Sequence, residues 1–158
     1  MDINEPILEV IALARSEVQR SGVSLQTRLA PDLPLVEGDR VQLQQVMLNL
    51  ILNAVEALRG VSEGSRDLLI SSEDGGADGV RVAVQDSGPG LIPESVHRLF
   101  EAFYTTKPTG MGMGLVICRS IIEAHGGRLW ATANEPRGAV FQFSLPPERD
   151  ETAPKRAG

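Results

Sequence analysis

Hydrophobic periodicity along this chain switches, in blocks, between the helical repeat of 3.6 and the strand repeat of 2, and that alternation restricts the fold more than any other feature. Residues 5 to 20, EPILEVIALARSEVQR, bring Ile7, Val10, Ile11, Ala14 and Val18 onto one helical stripe, with Pro6 in the first turn and Gly22 past the end. VSLQTRLA alternates Val23, Leu25 and Thr27 with polar neighbours, and PLVEG, beyond Pro31 and Pro34, reads as a second short strand. Asp39 and Gln42 have the spacing of a capping box, and the run from Val41 to Leu58 makes a long second helix ended by Gly60 and Gly64. RDLLISSE and GVRVAVQD, separated by DGGADG, predict a hairpin. IPESVHRLF reads as a short helix, EAFYTTKPTGMGMG as a loop and LVICRSIIEAH as a third long helix, while GRLWATAN and GAVFQFSLP form a second hairpin. The tail from Pro146 lacks apolar anchors and is expected to be disordered over residues 147 to 158. Helices and antiparallel hairpins in such blocks imply a sheet with helices packed on one face, an α+β or mixed α/β two-layer sandwich.

A chain of 158 residues needs one core, and with 42% apolar but only 4% aromatic residues that core must be aliphatic. The net charge of -6 disfavours nucleic acid and anionic membrane surfaces as partners, because neither polyanion gains counterion release from an acidic protein. An anionic ligand must therefore be held by local geometry. The single cysteine, Cys118, lies inside a helical pattern and reads as a structural thiol in a reducing compartment. The longest apolar stretch is interrupted by Asn49, Asn53 and Glu56, so it does not span a membrane, and no cationic, apolar leader opens the chain. The expected setting is cytoplasmic, within a longer protein that can itself be anchored elsewhere.

Three constellations carry chemistry. On the second helix Gln42, Gln45, Asn49, Asn53 and Glu56 recur at spacings of three and four and so share one stripe. Asparagine is a poor helix former, so two of them one turn apart suggest a functional role. An amide oxygen is a hard ligand for Mg²⁺, and its NH₂ can donate to phosphate. The alternative is a stripe that hydrogen-bonds a neighbouring loop. In GVRVAVQDSGPG, Asp86 follows Val80, Val82 and Val84 on the same strand face, so its carboxylate points with apolar side chains and needs donors. A purine amine is one such donor, and Gly88 and Gly90 would let backbone approach a flat ring. A turn in which the carboxylate caps its own loop is the alternative. Finally, Gly110, Gly112 and Gly114 precede a helix whose N-terminus carries about half a positive charge, the makings of a phosphate cradle, with Lys107 at its edge. A merely flexible connection would also explain them.

In order along the chain, QQVMLNLILNAVEAL, DSGPG, LFEAFYTTK and TGMGMGL closely resemble the N, G1, F and G2 boxes of the ATP-binding domain of sensor histidine kinases, and the resemblance runs from about residue 3 to Leu145. FYTTK and EAHGG are most similar to the oxygen- and nitrogen-sensing branch. The resemblance implies the Bergerat fold of the GHKL proteins, a mixed, mostly antiparallel sheet backed by three helices. It implies ATP and Mg²⁺ as ligands: Asn53 would ligate the metal, with Asn49 beside it, Asp86 would accept from the adenine amine, and Gly88 and Gly90 would line the base. Gly110, Met111, Gly112, Met113, Gly114 and Leu115 would wrap the phosphates, Lys107 would meet the terminal one, and Asn49 and Lys107 would serve the transfer. Phe100 and Phe103 fit the phenylalanine box as packing elements.

Two departures stand out. Many members carry a lysine and an aromatic where this chain has Glu56 and Ala57, so a cation for the phosphates must come from elsewhere; Met111 replaces a commoner threonine. Neither His97 nor His125 has the context of a phosphoacceptor. By resemblance, residues 1–22 are then a linker helix from a separate dimerisation domain, residues 23–146 the catalytic domain, and the partners that dimerisation domain and, indirectly, a response regulator, with the isolated domain a monomer. The competing readings are a slow ATPase and a nucleotide-dependent binding module of the same fold. The related hydrolases place a glutamate four residues before the metal-binding asparagine, where this chain has Asn49, which cannot take a proton.

Overall fold

The computed structural model describes residues 1–61, 64–88, 114–134 and 137–148. Helix α1, Asn4–Arg20, starts one residue earlier than periodicity predicts and buries Pro6, Ile7, Val10, Ile11, Ala14 and Val18. Helix α2, Arg40–Arg59, begins at an Asp39 cap whose Oδ1 accepts the Gln42 N–H at 3.0 Å. Only this half of the expected capping box forms. The Asp39 N–H instead donates to Nε2 of His125, 86 positions away, at 3.0 Å. Helix α3 spans Gly114–Ala124 and ends at Gly126, whose φ of 79° reverses the chain.

Five strands, β1 (Ser24–Leu29), β2 (Asp67–Asp74), β3 (Val80–Asp86), β4 (Arg128–Ala133) and β5 (Ala139–Leu145), form one sheet in the order β1-β2-β3-β5-β4. Both expected hairpins are present as antiparallel pairs, β2 with β3 and β4 with β5, and β3 and β5 join them antiparallel at the centre. Only β1 and β2 run parallel, a pairing that needs a crossover, and α2 supplies it. The register sets Ile70 against Val84 and Val82 against Phe143, so period-two alternation delivers Leu68, Ile70, Val80, Val82, Val84, Phe141, Phe143 and Leu145 to one buried face. Helices α1, α2 and α3 cover that face, and their apolar stripes join it in a single cluster. Each such side chain contributes about 1.5–3 kcal/mol on burial. The two-layer sandwich, a mixed and mostly antiparallel sheet backed by three helices, is thus the fold observed.

Two expectations need correction. PLVEG is not a strand: only Val36 pairs, in an isolated bridge to Pro147, because the flanking prolines remove the donors a ladder requires. Conversely, Pro147 and Glu148 do not belong to a disordered tail, since Pro147 makes that bridge and the Glu148 N–H donates to the Leu35 carbonyl. Residues 149–158 lie outside the described residues. Arg66 binds the ends of two helices: its Nε and one terminal nitrogen donate to the Val61 carbonyl at 3.1 and 2.9 Å, and the other terminal nitrogen to the Ser21 carbonyl at 2.7 Å. Ser21 is the C-cap of α1, whose carbonyl has no intrahelical donor, and Val61 directly follows the Gly60 C-cap of α2.

Candidate functional site

The amide stripe of α2 is exposed at Gln42 and Gln45 and half-buried at Asn49, Asn53 and Glu56, so its C-terminal half lies against other protein. Part of that cover is α3. Cys118, fully buried, directs its thiol toward the Val46 carbonyl at 3.9 Å and is hydrogen-bonded by the Asn49 side chain. Burial pushes the thiol up to about 11, and the Asn49 contact opposes that rise only in part. Cys118 is therefore a neutral packing thiol, as its helical setting suggests, and one function of Asn49 is to tie α2 to α3.

At the C-terminal end of β3, Asp86 is 3% exposed, on the same face as Val80, Val82 and Val84. Two of the donors that its placement demands are backbone groups. Oδ1 accepts the Gly88 N–H at 2.9 Å and the Ala139 N–H at 3.3 Å. The first bond is a turn in which the carboxylate caps its own loop; the second comes from β5 and ties the carboxylate across the sheet. A Cβ on Gly88 would stand 3.5 Å from the Ala57 Cβ, so the strand end lies against α2 one turn beyond Asn53. The strand end that carries the acid and the helix that carries the amides therefore meet at Gly88 and Ala57. Gly114 opens α3, and Leu115 packs half-buried against the core. Gly90, Lys107, Gly110, Met111, Gly112 and Met113, with His97, Phe100 and Phe103, lie outside the described residues.

Sequence reasoning missed the shell around Asp86. The Asn134 side chain donates to the Asp86 carbonyl at 2.9 Å and accepts from the Gln85 amide at 2.8 Å, and Arg137 donates to the Ser87 carbonyl at 3.0 Å. Gly138 has a φ of 114°, and any Cβ there would overlap the Asp86 carbonyl oxygen, so only glycine lets the β4–β5 turn approach the strand end this closely. In the sequence these residues read as generic turn formers. Nothing local links Asn134 to an aspartate 48 positions earlier.

His125 has a structural role that its local sequence does not show. Its Nδ1 lies 2.7 Å from the Ile121 carbonyl and its Nε2 accepts from Asp39, so Nδ1 carries the proton and both ring nitrogens are engaged. Among the described residues no group of three or more His, Cys, Asp and Glu side chains is placed to hold a metal, and no helix is long and apolar enough to cross a membrane. A metal at the α2 stripe would draw on amide oxygens together with the oxygens of a bound ligand, a donor set that suits Mg²⁺, which keeps few protein ligands.

Comparison with known proteins agrees with this fold. The chain is 44% identical over 144 residues to the sensor protein FixL of Bradyrhizobium diazoefficiens, a match covering 91% of this chain and 28% of that protein, so it spans about a quarter of its relative's length. Its structure is similar to the nucleotide-free catalytic domain of histidine kinase ThkA, with a TM-score of 0.81, 38% identity and 93% of each chain covered. ThkA has also been solved in complex with the response regulator protein TrrA, where the match has a TM-score of 0.79 at 34% identity and covers 94% of this chain and 41% of that one. Full-length ShkA in complex with AMPPNP matches with a TM-score of 0.80 and 29% identity, over 92% of this chain and 30% of that one. Residues 38–149, from the start of α2 past the end of β5 and so including Asn49, Asn53 and Asp86, match the family model for histidine kinase-, DNA gyrase B- and HSP90-like ATPases, and to that family this chain belongs.

Proposed function

We propose that this chain is the catalytic ATP-binding domain of a sensor histidine kinase, which binds Mg-ATP and passes the γ-phosphoryl group to a histidine on a separate dimerisation domain. The observation that carries the reading is the buried Asp86 carboxylate, held by two N–H groups at a strand end that lies against α2, the helix bearing Asn49 and Asn53. A carboxylate held in this way accepts from the exocyclic amine of adenine and rejects the 6-oxo group of guanine, which would set two acceptors against each other. Asn53 would hold Mg²⁺, which when bound neutralises charge on the phosphates. Asn49, at the position where related hydrolases carry a general base, is an amide engaged with Cys118 and cannot take a proton. That favours transfer to an acceptor imidazole, itself the nucleophile, over attack by water.

The acceptor would come from outside this chain: neither His97 nor His125 has the sequence context of a phosphoacceptor, and both nitrogens of His125 are committed. In this reading α1 continues from the dimerisation domain, and a response regulator later receives the phosphoryl group, as the ThkA–TrrA complex suggests for a relative. Incubating the chain with labelled ATP, Mg²⁺ and the dimerisation domain of the same protein should yield an acid-labile, base-stable phosphoprotein. Binding of ATP with no transfer to that domain would instead support the nucleotide-dependent binding module. A phosphate release rate unchanged by adding the domain would support the slow ATPase.

A further inference from the structure

We propose that Asn134 is a positioning residue for base selection, acting through Asp86 from the turn that links β4 to β5. The inference rests on the reading of Asp86 as the group that meets the adenine amine, and it assigns the origin of that group's aim. Asp86 is the last residue of β3 and pairs on one side with Leu68 of β2. On its other side three contacts from one turn hold it. The Asn134 NH₂ holds the Asp86 carbonyl at 2.9 Å, the Ala139 N–H holds Oδ1 at 3.3 Å, and Gly138 lies directly against the Asp86 backbone. Asn134 is itself oriented: its oxygen accepts from the Gln85 side chain at 2.8 Å, which fixes the NH₂ toward Asp86, and its own N–H closes the turn by donating to the Gly138 carbonyl at 3.0 Å. Residues 85, 86, 134 and 139 therefore form a frame in which the backbone and the side chain of Asp86 are both anchored to the same hairpin. Asn134 touches the backbone of the reading residue, so its effect should be specific to the one nucleotide group that Asp86 meets.

The test compares ATP with purine riboside triphosphate, which lacks the 6-amine, by calorimetric titration of the whole chain with Mg²⁺. The original protein should prefer ATP. In Asn134→Ala that preference should shrink about fivefold to tenfold, the scale of one hydrogen bond, through weaker ATP binding with the affinity for the amine-free analogue unchanged. Asn134→Asp, which keeps the shape and the acceptor but loses the donor, should lose preference at least as far. If Asn134→Ala does not fold, Gln85→Ala, which removes only the orienting bond, should shrink the preference in the same direction by a smaller factor. An unchanged preference in these variants overturns the inference while leaving Asp86 as reader. An equal loss for both nucleotides also overturns it, since that marks general damage to the site. No preference in the original protein removes both the inference and the adenine reading beneath it.

Discussion

The contact between His125 and Gly38 yields a prediction whose size follows from the geometry. Gly38 precedes the Asp39 cap of α2, and the imidazole that ends α3 lies across it. A Cβ built on Gly38 falls 2.8 Å from His125 Cδ2, 3.1 Å from Nε2 and 2.9 Å from Leu43 Cδ1, about 0.7 Å inside ordinary carbon contact. The ring cannot yield without cost, because Nδ1 is bonded to the Ile121 carbonyl at 2.7 Å and Nε2 to the Asp39 N–H at 3.0 Å. Moving it by about 0.7 Å takes the longer bond out of range, a loss of about 0.5–1.5 kcal/mol, and overpacking adds roughly 1–3 kcal/mol. The smaller unfolded-state entropy of alanine returns about 0.4–1 kcal/mol, so Gly38→Ala should cost about 0.5–4 kcal/mol net. His125→Ala alone loses two hydrogen bonds at a helix end that water reaches, about 1–2 kcal/mol. In the double variant the new methyl enters the space of the ring, leaving only the flexible end of Leu43 to adjust. The double variant should then be more stable than the sum of the singles by about 1 kcal/mol or more. Urea denaturation of the four proteins at neutral pH measures this coupling. Strict additivity, within about 0.3 kcal/mol, would refute the argument that the ring is what Gly38 makes room for.

Three further outcomes are expected. The Cys118 thiol is raised in the folded state from 9.0 to about 11, so its contribution is complete below pH 9 and disappears as pH rises through 11, as the unfolded chain ionises first; unfolding free energy should fall by about 2–3 kcal/mol more across that window in the original protein than in Cys118→Ala. Arg66→Ala strips the donors from the Ser21 and Val61 carbonyls and should lower stability by about 2–3 kcal/mol, or Tm by about 5–10 °C, with Arg66→Lys recovering little because one ammonium cannot span both carbonyls. Asn53→Ala should reduce transfer from Mg-ATP to the dimerisation domain by more than about 100-fold, measured by phosphoprotein yield at a temperature where thermal unfolding shows the variant folded; full activity would remove Asn53 from the proposed metal site.

What the sequence determined by itself depends on local period. The 3.6 repeat located α1, α2 and α3 within a residue or two, and the period-two alternation identified the inward face of β3. It therefore also placed Asp86 among the valines, since a side chain's face is fixed by parity along the strand. The amide stripe was equally legible, because Asn49 and Asn53 are separated by one helical turn. Where the reading failed, the deciding partner was distant in sequence. PLVEG has the composition of a strand, but its prolines and a bridge to Pro147 left Val36 as a lone paired residue. Asp39 and Gln42 have the spacing of a reciprocal cap, yet His125 took the second bond. The Asp86 carboxylate could be seen to need donors, but that one of them is the Ala139 N–H, 53 positions away, depends on β5 rather than β4 pairing beside β3. Backbone and side-chain preferences act over a few residues, whereas strand order and helix docking are settled by the burial of the whole apolar surface at once. Only the assembled sheet brings the hairpin turn, with Asn134 and Gly138, against the end of β3 and so fixes the direction of the acid that the sequence had merely turned inward.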